Sequence, residues 1–321
     1  MDWMRFAVAG RVTALHRGLC AGISDEGTVF AARLGLPHAT ATTYDDLLVD
    51  SFGVLGVAPG TEPWLTGRGA DGRLQLWTAR DDGPAVRHPL EGVDAMWAAP
   101  AVDAGSDLVL SSHLIDGTWR LCVHTREAAV GGGPARARDL TLAGPPDTVL
   151  VFGGSEKDPL VVAGRLGDAH AATAWALGDT DWRRIHLAPA PSALTSVASA
   201  GGGRHTWIGG VADGRAVVHE LLPLPFRGPL RTTAVPMPQL ELVNVPEAGG
   251  RPMVLVDDVA GDLPMLVAAM ARGNRLCWYD GTEWKALPAP DGPVRAACTS
   301  GGAIHALIGQ SVWSIEDPAA T

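Results

Sequence analysis

Acidic residues are the main groups in this sequence that could do chemistry, because many of them stand where a predicted strand begins or ends. Two adjacent acids, Asp257 and Asp258, directly follow an apolar strand, and His113 ends another. Carboxylates gathered in one place could bind a cation, or act as general acids and bases with raised pKa values. A single loop acid is more commonly a solvated turn former. The pattern therefore points to places on the molecule rather than to a reaction.

The candidate site residues form two sets, according to the end of the innermost strands at which we expect them. Those expected where these strands begin are Arg11, Asp50, Asp94, Trp97, Asp147 and Arg295. Those expected where the strands end are His16, Asp103, Glu156, Asp158, Asp257 and Asp258. His113 would project from the face of a hairpin. If the strands surround a central channel, the two sets line its two mouths.

Known catalytic and metal motifs are missing from the sequence. The segment from Gly67 to Gly72 satisfies GxGxxG, but strand-like residues follow it, whereas dinucleotide binding needs a helix there. No GxxxxGK, GxSxG, HExxH or EF-hand pattern occurs, and the ten histidines include none at metal-ligand spacing. A fold could still gather ligands from separate strands. We therefore predict no cofactor, and leave open a divalent cation at a channel mouth.

A short turn containing glycine, followed by a strand with an aromatic residue or valine, recurs along the whole chain. Its glycines are Gly27, Gly72, Gly117, Gly167, Gly214, Gly273 and Gly309. Successive glycines are 45, 45, 50, 47, 59 and 36 residues apart. Asp-Gly and Gly-Asn steps between apolar runs are typical of β-hairpins, because the turn needs positive φ. One hairpin in roughly every 40–50 residues predicts a β-propeller.

The predicted fold class is all-β: a single seven-bladed β-propeller over residues 1–321. The expected blades are residues 10–43, 46–91, 93–143, 147–189, 193–236, 239–290, and 292–317 together with 2–8. The last unit lacks an outermost strand, whereas the first unit begins with a spare one at residues 2–8. We therefore expect the N-terminal strand to complete the C-terminal blade, which removes an open sheet edge. In the long sixth unit the innermost strand is either residues 240–245 or residues 253–256, and the second choice matches the fourth unit better.

Aromatic residues occupy equivalent strands of different units and predict packing between blades. One set is Phe30, Trp77, Trp175, Trp278 and Trp313, and another is Trp3, Trp182 and Trp284. With this order of tryptophan, inner strand and glycine turn, the chain resembles the seven-bladed propellers and is loosely similar to the tectonin-type and bacterial lectin propellers. No regular WD dipeptide, kelch diglycine or Asp-box accompanies these residues. The resemblance therefore assigns no specific family.

Composition narrows the class of partner. The formal net charge is −10 and the pI is about 5.4, which argues against a nucleic-acid or anionic membrane surface, because either would need a basic face. The N-terminus lacks the pattern of a signal peptide, and no segment is apolar enough to span a membrane. The four cysteines show no CxxC spacing and predict buried thiols in a reducing compartment. We expect a cytoplasmic, monomeric protein, and the Arg-rich, Lys-poor composition suggests a bacterial source.

Two hypotheses about function remain. The first is a non-catalytic binding or scaffold propeller that recognises a protein or a glycan through one face. The alternative is a cytosolic enzyme of small-molecule metabolism, a lyase, hydrolase or cyclase, with its site at a channel mouth. The absence of a catalytic signature favours the first hypothesis. The variety of polar residues at the expected mouths favours the second, and no Arg or Glu recurs beside the repeated tryptophans as a repeated lectin site would require.

Overall fold

The structure is a computed structural model, and every regular element that it describes is a β-strand. The described residues are 2–8, 10–16, 19–34, 42–44, 47–54, 63–80, 83–90, 92–98, 108–125, 136–152, 160–167, 172–177, 181–200, 205–221, 230–234, 253–257, 265–271, 275–279, 282–300 and 303–316.

The first three sheets each contain four antiparallel strands in chain order, running from the innermost to the outermost. The first sheet is β2 (Arg11–His16), β3 (Leu19–Ile23), β4 (Val29–Arg33) and β5 (Thr42–Tyr44). The second sheet is β6 (Leu47–Val54), β7 (Pro63–Gly69), β8 (Leu74–Arg80) and β9 (Gly83–Pro89). The third sheet is β10 (Ala95–Ala98), β11 (Leu108–Ile115), β12 (Thr118–Thr125) and β13 (Arg136–Leu142).

The remaining strands form one sheet of eight strands and two of four. The double sheet contains β14 (Pro146–Phe152), β15 (Leu160–Leu166), β16 (Thr173–Leu177), β17 (Trp182–His186), β18 (Ala193–Ala200), β19 (His205–Ala212), β20 (Arg215–Leu221) and β21 (Leu230–Ala234). The fifth sheet is β22 (Met253–Asp257), β23 (Met265–Ala271), β24 (Arg275–Tyr279) and β25 (Trp284–Leu287). The closing sheet is β26 (Val294–Ser300), β27 (Ala303–Ile308), β28 (Ser311–Glu316) and β1 (Met4–Arg5).

The number of blades differs from the prediction. Counted as hydrogen-bonded sheets of the described strands, the propeller has six blades, and the prediction of seven separate blades is wrong. The reason is a parallel pairing between two outermost strands, β17 and β21, in which Ile185 lies opposite Leu230 and His186 lies opposite Arg231. This pairing joins the predicted fourth and fifth units into the double sheet and covers two strand edges that would otherwise be open.

The two ends of the chain meet in the closing sheet, as the sequence predicts. Strand β1 pairs antiparallel with β28, with Arg5 opposite Trp313, and the Phe6 N–H donates to Val312 O at 2.9 Å. The indole N–H of Trp3 donates to Pro288 O, beyond the end of the fifth sheet. The N-terminal segment is therefore bonded to both of these sheets.

Apolar clusters between neighbouring sheets hold the propeller together. The cluster between the closing and first sheets joins Leu307 and Val312 to Val12, Cys20 and Phe30. The predicted packing role is observed for four tryptophans that lie against such clusters: Trp77, Trp175, Trp278 and Trp313. All four cysteines are buried and reduced. The innermost strand of the fifth sheet is Met253–Asp257, and residues 240–245 lie outside the described residues.

Candidate interaction surface at the leading end

The end of the propeller at which the innermost strands begin, here called the leading end, also carries the repeated glycine turns. The first residues of innermost strands pair with the last residues of second strands, as Arg11 does with Ile23 and Leu47 with Gly69. The turns that follow the second strands therefore lie at the same end. Two of these turns use aspartates in the left-handed conformation, Asp116 and Asp213, both with φ of 49°, as expected for tight hairpins.

A β-bulge recurs near the start of the innermost strands and turns one residue out of the ladder. The residues at these bulges are Thr13, Asp50, Asp147, Thr195 and Arg295. Close approach of the second strand requires glycine: a Cβ on Gly22 would lie 2.1 Å from Arg11 O, and one on Gly164 would lie 2.0 Å from Thr148 O. Three of the predicted candidates therefore share one structural position, which the sequence did not reveal.

The structure places the other leading-end candidates in different surroundings. Arg11 and Arg295 are exposed on β2 and β26, and Asp94 is exposed just before β10. Asp147 accepts a hydrogen bond from Arg165 Nη1 at 3.0 Å in an exposed ion pair. Trp97 packs against the cluster between the third sheet and the double sheet, so most of its surface is used for packing.

The candidates at the opposite end are only partly covered by the described residues. His16 and Asp257 are the last residues of β2 and β22. Asp103, Glu156, Asp158 and Asp258 lie outside the described residues. The hypothesis of an acidic pair at Asp257 and Asp258 therefore stays a prediction.

A groove lies between the second and third sheets at the leading end. Its volume is about 350 Å³, and it is lined by Arg68, Arg73, Leu74, Leu90, Gly92 and Val93. Arg68 donates from Nη1 to Gly72 O at 3.1 Å and from Nη2 to Asp94 O at 3.0 Å. One guanidinium thus connects the turn of the second sheet to the segment that leads into the third.

A chain of hydrogen bonds runs from this groove into the space between the two sheets. Gly92 O accepts from His113 Nδ1 at 2.8 Å, and Ser111 Oγ lies 2.7 Å from His113 Nε2 and 2.6 Å from His124 Nε2. A carbonyl oxygen can only accept, so His113 carries its proton on Nδ1. Ser111 then donates to His113 Nε2 and accepts from His124 Nε2, and His124 Nδ1 keeps a lone pair without a hydrogen-bond partner among the described residues.

Burial keeps the inner end of this chain neutral. The pKa of His124 is lowered, first by its desolvation and then by the charge of His113, while Asp139 opposes the shift. Cys122 lies on the same strand as His124. Burial and then the neighbouring Asp139 raise the pKa of the Cys122 thiol to about 12. A thiol with so high a pKa is a poor nucleophile at neutral pH. The Cys122 thiol therefore stays protonated at neutral pH.

The arrangement of Ser111 between two histidines resembles a catalytic constellation, but its hydroxyl is inaccessible. Ser111 is 0% exposed, so no substrate carbonyl could approach it.

Among the described residues, no group of three or more His, Cys, Asp or Glu side chains could hold a metal ion. No helix long and apolar enough to cross a membrane occurs in the described part of the chain.

Sequence reasoning identified His113 but missed Arg68, Ser111 and His124. Two signals were available. Arg68 lies within the GxGxxG segment, next to a repeated glycine turn. Ser111, Ser112 and His113 form a polar run within a strand that is otherwise apolar, and polar residues inside a buried strand indicate a hydrogen-bonded network.

Comparison with known proteins identifies the fold. No protein-family model matches the chain, and no curated protein matches it. The β-propeller domain of Cps50 (Swd1) from Myceliophteria thermophila is 10% identical, with 98% of this chain and 99% of that chain covered and a TM-score of 0.60. The Dos1 propeller is 9% identical over 99% and 95% of the two chains, with a TM-score of 0.52. A chain of the mitotic checkpoint complex is 11% identical over 98% and 93%, with a TM-score of 0.53. At such identities the likeness shows the fold alone, and the protein is a single all-β β-propeller.

Proposed function

We propose that this chain is a non-catalytic propeller that binds a protein partner at its leading end, over the groove between the second and third sheets. The observation that carries the proposal is an apolar hairpin tip beside that groove. Leu114 is 55% exposed and Ile115 is 36% exposed, and they are adjacent in the chain. Exposed apolar side chains next to a groove that has polar groups along it are typical of protein interaction sites.

The geometry of the hairpin directs one of these side chains towards the groove. Side chains alternate along a strand, so Ile115 lies on the same side of β11 as His113, which bonds to Gly92 at the groove. Leu114 lies on the other side. A partner seated on the tip would therefore contact the groove through Ile115.

Similarity to other propellers supports the proposal. The matched chain in the mitotic checkpoint complex belongs to a protein assembly. A rigid propeller that presents one end to a partner would serve this chain in the same way. Recognition of a glycan stays an alternative outcome of the experiment.

The test is capture of binding proteins from a native lysate by the immobilised full chain, compared between variants. Leu114→Asp and Ile115→Ser should each reduce recovery of the captured partner, because they replace the apolar contact. Val86→Asp is the matched control, since Val86 is also exposed, at 38%, but lies on the outermost strand of the second sheet. Equal capture by wild type and by both tip variants would contradict the proposal, as would capture that a free sugar elutes.

A further inference from the structure

We propose that the groove between the second and third sheets recognises an acidic side chain that is next to an apolar one, in an extended segment of the protein partner. This inference rests on the proposed function and names the chemistry of the partner. It follows from the lining of the groove, which combines arginines with apolar side chains. A simple anion site would lack the apolar side chains, and a simple apolar pocket would lack the arginines.

The cationic part of the groove is held in place before any partner arrives. Two nitrogens of Arg68 are fixed by the carbonyls of Gly72 and Asp94, which belong to different sheets. A side chain that is already ordered loses little further entropy on binding. Its fixed positive charge would attract a carboxylate that enters the groove.

The second arginine of the groove, Arg73, has only a weak ion pair that a carboxylate of the partner could replace. The Arg73 side chain is 81% exposed, and its Nε lies 4.0 Å from Asp71 Oδ2. Exposed pairs of this length contribute little. Asp71 is also engaged by the turn, because its Oδ1 accepts the Arg73 N–H at 3.0 Å. A carboxylate from a partner could therefore replace Asp71 at the guanidinium with little loss.

The apolar part of the groove adjoins these arginines. Leu74 is buried beneath the groove, while Leu90 and Val93 are partly exposed along it. A groove of about 350 Å³ is large enough for one or two side chains. An acidic residue with an apolar neighbour would fill both parts at once.

Overall charge makes an acidic ligand selective for this place. The chain has a formal net charge of −10, so its overall charge repels an acidic segment, and the arginines at the groove would offset that repulsion locally. Charge arrangement of this kind contributes to specificity and register more than to affinity. A nucleic acid would instead need a broad basic face.

The experiment is selection of peptides from a random twelve-residue phage library on the immobilised full chain. Selected sequences should be enriched in Asp or Glu adjacent to Leu, Ile, Val or Phe. A synthetic copy of the strongest binder, labelled with fluorescein, would then be titrated by fluorescence anisotropy. Arg73→Glu should weaken binding of the peptide at least about tenfold, because the attraction between the arginine and the peptide carboxylate is replaced by repulsion between two carboxylates.

Arg215→Glu is the matched control. Arg215 occupies the same place in the Asp-Gly-Arg turn of the double sheet, where it is also exposed, so the change in net charge is identical. It should leave the affinity within about twofold. Peptides without acidic residues, a selection that yields no binder, or equal losses from Arg73→Glu and Arg215→Glu would each overturn the inference.

A further variant separates this inference from the proposed function. If Arg73→Glu binds the peptide as wild type does while Ile115→Ser binds it weakly, the acidic partner is refuted and the interaction surface survives. If neither substitution weakens binding, both proposals fail. Thermal melts of each variant, with unchanged midpoints, would show that losses of binding do not come from unfolding.

Discussion

Strand β11 presents Leu110 to one neighbouring sheet and Ser111 to the other, and both side chains are fully buried. Leu110 packs with Leu160 and Val162 of the double sheet. Ser111 lies on the opposite side of the strand, which faces the second sheet, and joins His113 to His124. The third sheet is thus held by apolar contact on one face, and partly by directed hydrogen bonds on the other.

The two faces of the third sheet contribute differently to the stability of the fold and to the shape of its surface. Apolar contacts tolerate small shifts, because dispersion and the hydrophobic effect are not directional. Hydrogen bonds fix distances and angles, and the last bond of the chain holds the segment at Gly92 that lines the groove. We infer that the apolar face contributes most of the free energy of unfolding, while the polar face sets the shape of the interaction surface.

The largest effect is expected from Leu110→Ala on the apolar face. Removal of a fully buried leucine side chain leaves a cavity and should lower the free energy of unfolding by about 2–5 kcal/mol. Urea denaturation followed by tryptophan fluorescence measures it. A loss below about 1 kcal/mol would show that this face is loosely packed.

Ser111→Ala on the polar face should cost less, about 1–3 kcal/mol, because a buried nitrogen of His124 and a partly buried nitrogen of His113 lose their partner. The neighbouring Ser112→Ala is its control: Ser112 is equally buried, but its Oγ has no hydrogen-bond partner among the described residues. Ser112→Ala should therefore be neutral within about 0.5 kcal/mol. Equal losses from the two substitutions would mean that the hydrogen-bond chain contributes nothing.

The polar face should also make stability depend on pH. Because the pKa of His124 is lowered in the folded state, the unfolded chain binds a proton more readily below its ordinary pKa of about 6.5, and stability falls as the pH drops through that value. Above it, this contribution is fully present. The decline between pH 6.5 and 5 should be shallower in His124→Gln, whose amide can still donate to Ser111.

The same titration has an internal reference in the double sheet. Burial lowers the pKa of His219 to about 4, so both wild type and His124→Gln should continue to lose stability towards pH 4. Identical pH profiles for the two proteins would show that His124 is not the group responsible.

The smallest effect on folding is expected at the hairpin tip of the third sheet. Ile115→Ser should change the free energy of unfolding by no more than about 0.5 kcal/mol, because Ile115 lies at the exposed tip of the hairpin and belongs to none of the apolar clusters of the described residues. Its consequence should be in partner binding instead. A large loss of stability would indicate that Ile115 supports the fold rather than the interaction surface.

Much of the fold could be predicted from local patterns. A tight hairpin turn needs a residue with positive φ, and glycine adopts that conformation most easily. Gly27, Gly72 and Gly117, which have positive φ in the structure, therefore indicated hairpins without knowledge of the rest of the chain. The spare N-terminal strand at Met4–Arg5 followed from counting strands in the repeat. The candidate site was harder to predict. Its residues Arg68, Ser111 and His124 are separated by at least 13 positions in the sequence and belong to two different sheets.

The amino-acid sequence by itself determined an all-β propeller whose ends meet in one sheet, because alternation and turn chemistry act over a few neighbouring residues. Only the tertiary structure decided that β17 and β21 pair in parallel, which makes six sheets. It also decided that Arg68 and His113 both bond to the segment before β10, at Asp94 and Gly92. Those contacts depend on the orientation of neighbouring sheets and on strand register. Both are set by packing over the whole molecule and leave no periodic mark in the sequence.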